Sequence, residues 1–320
     1  IIASEGKKNK RDRGKASMRL LKNTWKNREL CLMALPGVLI MILFSYVPMY
    51  GLILAFKKFD FTLVFKSPWC GFDNFRYIFL VGSTFWRITR NTIGYYLIFT
   101  LTGTIGNVML AIGINEFVRK RAGKVMQSCM ILPTFISYIA VSFIVYAGLK
   151  GDTGLINRLI VSMGGKSINF YMEAGKWPLI LVLVNLWKNI GYGSVLYLSV
   201  LTGIDQEMYE AADLDGANAR QKMWYITLPM LIPMVVVMVL MGLGNIMHSD
   251  TGLFYQVTKN SGALYSTTQV LDSYVFNAVM TASNYSTTAA TTLYQSVIGC
   301  VMMVATNLVV RKVAPENALF

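Results

Sequence analysis

Six long stretches that are apolar on every side constrain this chain more than any other feature. They cover residues 30–56, 91–115, 125–149, 178–203, 226–247 and 286–310, and each runs to 22 residues or more with at most one charged side chain. A helix that crosses a bilayer needs roughly 20 such residues at a rise of about 1.5 Å each. Helices on soluble cores keep a polar face with a 3.6-residue period, whereas "PMVVVMVLMGLGNIM" (233–247) has none. With 54% of 320 residues hydrophobic and 14% charged, an ordinary soluble domain is excluded. The expectation is an all-α polytopic membrane protein with six spans. Pro36, Pro48, Pro133, Pro229 and Pro233 lie in or beside the spans. A packed bundle tolerates them because neighbouring helices and hydroxyl side chains satisfy the freed carbonyls.

Orientation follows from the cations. Ten Lys and Arg precede residue 30, four lie in 116–124, two in 204–225, and Arg311 and Lys312 follow the last span. Six spans put these segments on one side, which the positive-inside rule makes cytoplasmic, together with both termini. The opposite side carries eleven cations in three longer segments, with Arg87 and Arg90 just before the second span, so the bias is imperfect. The first span follows a long polar tail and exceeds the apolar region of a cleavable signal peptide, so it is expected to stay as an anchor. A net charge of +14 raises the question of nucleic acid, but no recognition element accompanies it, and a basic tail beside a span suits anionic lipid headgroups. Cys31, Cys129 and Cys300 fall inside spans and only Cys70 outside, which gives no disulfide or metal-ligand pattern.

Among the outer segments, "FDNFRYIFLVGSTFWRIT" (72–89) reads as a helix lying at the interface, 150–177 as turn-rich, and 248–285 as a nearly uncharged Ser/Thr/Tyr-rich stretch. No tandem or inverted repeat is visible.

Enzyme chemistry finds no support. "GGKS" at 164–167 lacks the glycine a phosphate loop needs five residues before its Gly–Lys pair, where Ile160 stands. His248, Ser249 and Asp250 are consecutive, so their side chains diverge, and with one histidine in the chain there is no zinc pair. His248 reads as a polar residue at the outer end of the fifth span.

Lys188 lies eleven residues into the fourth span. An ammonium at such depth costs about 2.5–3.5 kcal/mol and must face protein or a wet cavity. Asn185, Trp187, Asn189, Tyr192 and Tyr197 surround it in sequence. Aromatic faces with amide and ammonium donors suit a sugar, apolar on its C–H face and ringed by hydroxyls. Snorkelling, or a structural pairing across a subunit interface, fits Lys188 equally well.

Five of the sixteen carboxylates, Asp205, Glu207, Glu210, Asp213 and Asp215, crowd into eleven residues between two apolar stretches. Asp205 can cap a helix whose first turns hold Glu207 and Glu210, where the macrodipole favours anions. Ile204, Met208, Ala211 and Ala212 form an apolar stripe, and Gly216 is a natural left-handed terminator. A second helix then re-enters the membrane at Pro229. Ala211, Ala212, Gly216 and Ala217 suit close seating in another protein's groove. A helix lying on anionic lipid would carry Lys and Arg instead.

"EAADLDGANARQKMWYITLP" (210–229) resembles the EAA signature of permease subunits of binding-protein-dependent ABC importers: Glu210-Ala211-Ala212, then Gly216, nine residues, Ile226, and Leu228-Pro229. "SGALYSTTQVLDSYVF" (261–276) resembles the segment before the last helix of sugar permeases in that group. "RKVAPENALF" (311–320) and "LPGVLIMILFSYVPMYGLILAFKKFD" (35–60) resemble its complex-oligosaccharide branch.

The resemblance implies a type I importer permease fold (MetI-like). The layout would be a basic tail (1–29), a first span with an outer segment (30–90), a transport core (91–312) and a short tail (313–320). Residues 205–216 would form a coupling helix, with Glu210, Ala211, Ala212, Asp215 and Gly216 docking into a cytosolic ATPase. The chain would bind no cofactor or metal itself, ATP and Mg belonging to the ATPase. Its partners would be a second permease in a heterodimer, two ATPase subunits, an extracellular solute-binding protein and an oligosaccharide, in a bacterial cell membrane. Another small polar solute, or an ATP-independent channel or secondary transporter, remain the alternatives.

Overall fold

A computed structural model describes residues 27–80, 83–115, 121–281 and 285–313. The basic tail before residue 27, most of the 116–124 loop and the terminal 314–320 lie outside the described residues. Described residues through Leu54 form one unit and those from Ala55 onward another.

The first unit is helical throughout. Helix α1 (Arg28–Met41) runs through a π-helical turn (Ile42–Tyr46) into 3-10 turns over Val47–Phe56. Pro48 can give no N–H to the carbonyl of Phe44, and the hydrogen-bond ladder leaves α geometry there. Leu32, Met33 and Phe44 are at least 70% exposed, a surface for lipid rather than water.

In the second unit the helices are α2 (Asp73–Leu80), α3 (Ser83–Asn115), α4 (Arg121–Ile131), α5 (Tyr138–Leu149), α6 (Leu155–Ser162), α7 (Trp177–Thr202), α8 (Gln206–Leu214), α9 (Ala219–Lys222), α10 (Leu228–Leu243), α11 (Tyr265–Thr268), α12 (Leu271–Met280) and α13 (Tyr285–Val313). Among the described residues the one β feature is an isolated bridge between Lys57 and Trp69. The chain is an all-α polytopic membrane protein. Among the described residues five helical runs are long and apolar enough to cross a bilayer: Arg28–Phe56, Ser83–Asn115, Ala174–Thr202, Ala219–Leu243 and Tyr285–Lys312. Val125–Phe135 and Tyr138–Leu149 make a sixth, bent by 96°.

Two details depart from the sequence reading. The stretch 72–89 is not one interfacial helix, since its second half is the start of α3. At 33 residues α3 is about 50 Å long against a hydrocarbon layer of about 30 Å, so Arg87 and Arg90 ride on its projecting end. The third span is not straight either. Pro133 supplies no N–H to Cys129, Leu132–Phe135 tightens to 3-10, and Ile136 and Ser137 are extended (ψ 128° and 149°). Ser137 Oγ then caps α5 by accepting the Ala140 N–H at 3.3 Å.

Helices α3 and α7 form the central pair. Gly106 lies under Leu186 and Ile190, and a Cβ at Gly193 would come 2.4 Å from the Asn107 amide, so small residues set this approach. Leu97, Leu101, Ile105 and Met109, spaced by four on α3, are all more than half exposed and leave an apolar stripe for lipid or a partner helix.

Candidate coupling helix and translocation cavity

The acidic cluster folds as the sequence dictates. Asp205 sits in extended backbone and its Oδ1 accepts the Glu207 N–H at 3.0 Å, opening α8. Gly216 closes it at φ +76°, with the Ala217 N–H donating to the Ala212 carbonyl at 2.9 Å and the Gly216 N–H to that of Asp213 at 3.1 Å. After this stop Asn218 and Gln221 exchange side-chain and backbone bonds of 3.0 and 2.8 Å to start α9.

Two contacts tie α8 to the root of the fifth span. Lys222 Nζ lies 2.6 Å from Asp213 Oδ1, and the Tyr209 and Thr227 hydroxyls are 3.0 Å apart. No residue of α8 is buried. Glu210, Ala211, Asp215 and Gly216 are exposed and Ala212 is half-buried. The stripe is left open as well: Met208 is exposed and Ile204 only half-covered. Leu214, which the stripe did not include, stands 91% exposed at the end of α8. An apolar side chain placed off its helix's own stripe was the signal available in the sequence.

The residues grouped around Lys188 do not share one face of α7. Tyr197 is buried, Trp187 and Tyr192 are exposed, and the Asn189 amide turns back to Asn185 at 2.9 Å. Lys188 is 5% exposed and its ammonium faces the break in the third span. It donates to the carbonyls of Pro133, Thr134 and Ile136 at 3.3, 2.8 and 2.5 Å and stands 4.8 Å over the Tyr138 ring.

The extended residues end the first half-helix, and the Ala140 N–H goes to Ser137 Oγ instead of the Ile136 carbonyl. Lys188 meets the Thr134 and Ile136 carbonyls, which the break strands, at the negative end of a half-helix dipole. The contact is reciprocal, because Thr134 Oγ1 donates to the Lys188 carbonyl at 2.8 Å. Gly191 permits it, since a Cβ there would lie 1.8 Å from the Met130 carbonyl oxygen. Lys188 thus pairs within its own chain and has no donor left for a solute.

A cavity of about 280 Å³ lies toward the end of the bundle away from α8. Tyr95, Tyr96, Phe99 and Thr100 of α3, Asn185 of α7, His248, Ser249 and Asp250 beyond α10, and Phe254 line it. Of the six path residues expected on α7, Asn185 alone is on this wall. Tyr138 stands just behind, its hydroxyl beside Asp250 and Asn189, with Gly252 pressed on its ring.

Asp272 of α12 gathers the turn after α10. Its Oδ2 accepts the Ser249 N–H at 2.6 Å and the Ser249 hydroxyl at 3.0 Å, and its Oδ1 accepts Gln295 Nε2 of α13 at 3.2 Å and lies 3.5 Å from His248 Nδ1. Hydrogen bonding to Asp272 raises the His248 pKa above its ordinary 6.5, against the opposing effect of burial. Burial alone would raise Asp272, but the bonds from His248, Ser249 and Gln295 outweigh it and hold the carboxyl below 3.8. Sequence reading missed this pairing because the two residues are 24 apart with a loop and α11 between them.

Residues 103–315 match the family of binding-protein-dependent transport system inner membrane components. The chain belongs to that family. It is 32% identical over 293 residues to protein LplB of Bacillus subtilis (strain 168), covering 91% of each chain. To the polygalacturonan/rhamnogalacturonan transport system permease protein YteP of the same organism it is 29% identical over 300 residues, covering 93% of this chain and 92% of the other. Its fold matches a chain of a bacterial ABC transporter involved in the import of the acidic polysaccharide alginate, at a TM-score of 0.83 and 29% identity over 92% of this chain and 99% of that one. A chain of the bacterial alginate transporter in complex with alginate pentasaccharide-bound periplasmic protein matches at 0.82 and 28%. The α8 signature and the whole lining of the cavity except Tyr95, Tyr96, Phe99 and Thr100 fall within the matched residues of this permease.

Proposed function

We propose that this permease forms half of the translocation pathway of an ATP-driven importer for an oligosaccharide, and that α8 receives the force. The carrying observation is a capped and terminated helix, with no residue buried, that is tied by Asp213–Lys222 and Tyr209–Thr227 to the root of the fifth span. A lever that must move a bundle needs both properties: a rigid link to a span and a surface left open for the motor. Glu210, Ala211, Ala212, Asp215, Gly216 and the projecting Leu214 form that surface. Closure of two ATPase subunits then displaces α8, and the fifth span carries the displacement into the bundle as a shift between two packed states.

Sugar cargo draws support from the cavity, where aromatic rings meet an amide, hydroxyls, an imidazole and a carboxylate. The relative named for polygalacturonan/rhamnogalacturonan transport and the alginate importers agree with it. A second permease, a solute-binding protein docking on the outer segments and cytoplasmic termini complete the assembly. The test is uptake into vesicles containing the purified complex. Oligosaccharide entry that requires ATP on the α8 side supports the reading, and entry at the same rate without ATP contradicts it.

A further inference from the structure

His248 is the one histidine in the chain, and it stands on the cavity wall where the fifth span ends. Three elements converge on the carboxylate beside it: the 248–249 turn, α12 and α13, with Gln295 Nε2 also donating to the Met247 carbonyl at 2.9 Å. Ser249 already ties the turn to Asp272 through its N–H and its hydroxyl, so closing the turn does not require an imidazole. The effect of Asp272 on His248 is to orient it. With Nδ1 held toward Oδ1 at 3.5 Å, the second ring nitrogen, Nε2, is left for the cavity. The neighbouring Asp250 is engaged otherwise, its Oδ1 accepting the N–H groups of Gly252 and Leu253 at 2.8 and 3.3 Å.

We propose that His248 contacts the cargo, its Nε2 hydrogen-bonding to an oxygen of the passing saccharide, and that Asp272 is its positioning residue. This rests on the reading of the cavity as part of an oligosaccharide path. Tyr95, Tyr96 and Phe99 of α3 line the same cavity, an aromatic wall suited to the apolar side of a sugar, and the imidazole fixes the sugar's rotation against it. The titratable and charged groups around the imidazole are Asp272 from α12, Asp250 from its own turn, and the phenols of Tyr95 and Tyr96; Gln295 from α13 and Asn185 from α7 are neutral.

The assembled importer in proteoliposomes is offered a mixed hydrolysate of pectin and starch, and the saccharides that enter are identified by mass spectrometry. Diethylpyrocarbonate modification of His248, read from the mass of its peptide, is expected to slow severalfold in the presence of the hydrolysate. His248→Ala should raise the KM of the entering saccharide roughly tenfold, the worth of one hydrogen bond, with kcat little changed. His248→Gln, which keeps a donor near the ε position, should recover part of that loss, and Asp272→Asn should shift the pH dependence of KM. A loss confined to galacturonides identifies a carboxylate as the recognised oxygen, and an equal loss for neutral saccharides identifies a hydroxyl. Unchanged KM in His248→Ala complexes with full ATPase content, or modification indifferent to saccharide while saccharide enters, overturns the assignment and leaves the import reading standing. If no saccharide enters with the unaltered protein, the import reading falls and the assignment with it.

Discussion

Replacing Lys188 with methionine removes the ammonium at nearly constant volume and strands the carbonyls of Thr134 and Ile136. A buried, unpaired backbone group costs about 1–3 kcal/mol, so two cost about 2–6 kcal/mol. Against this, the burial of an ammonium, about 2.5–3.5 kcal/mol, is no longer incurred. The two effects come close to cancelling, so the predicted consequence is a change of shape rather than unfolding. Residues 136–140 can regain helical bonds only by straightening the third span. With its 96° bend the ends of that span are close. Half-helices of about 15 and 14 Å, joined through the extended residues 136 and 137, put residues 125 and 147 about 20–27 Å apart, whereas a straight helix would separate them by about 33 Å. Spin labels at Val125→Cys and Ala147→Cys, in a chain with its native cysteines replaced, read that distance in the assembled complex. The parent should give about 20–27 Å, Lys188→Met a shift toward 33 Å, and Lys188→Arg should stay near the parent. An unmoved distance in Lys188→Met would show that the extended residues and Pro133 hold the bend without the lysine, and would refute the clamp.

Gly191→Ala places a Cβ 1.8 Å from the Met130 carbonyl oxygen and must push the end of α4 away, at about 1–3 kcal/mol, which a thermal melt in detergent should show as lost stability. Leu214→Asp leaves folding intact because the side chain is 91% exposed, yet should weaken ATPase copurification about tenfold or more if Leu214 anchors the joint. The His248–Asp272 clasp should depend on pH from both sides. The raised His248 contributes fully below 6.5 and loses its contribution as pH rises through its folded value. The lowered Asp272 contributes fully above 3.8 and loses its contribution as pH falls through its folded value. The melting temperature, parent minus Asp272→Asn, should therefore peak between these limits, and a flat difference would deny the coupling.

Much of the architecture was legible because the membrane leaves few choices. Apolar runs at 178–203 and 286–310 became α7 and α13 within a residue or so at their starts, since helices alone satisfy every backbone group in lipid. Helix α8 was equally plain, because its cap, its terminator and its acids are local signals within a dozen residues. The third span was not, since Pro133 announced a disturbance but not a 96° turn, where Lys188 arrives from α7 to meet the freed carbonyls. The same limit applied to the cavity. Sequence order gathers Asn185 to Tyr197 along one helix, but a cavity wall collects residues from several, and only Asn185 reached it. His248 could not be matched to Asp272 until α12 and α13 were folded against the turn.

The coupling claim is tested most directly by a single cysteine at Ala212, in a chain freed of its native cysteines and co-expressed with an ATPase subunit carrying a cysteine in its cleft. Crosslinking in native membranes should be efficient and should change in yield between nucleotide-free and ATP-bound states. An ATPase that stays uncrosslinked in every nucleotide state would contradict the account.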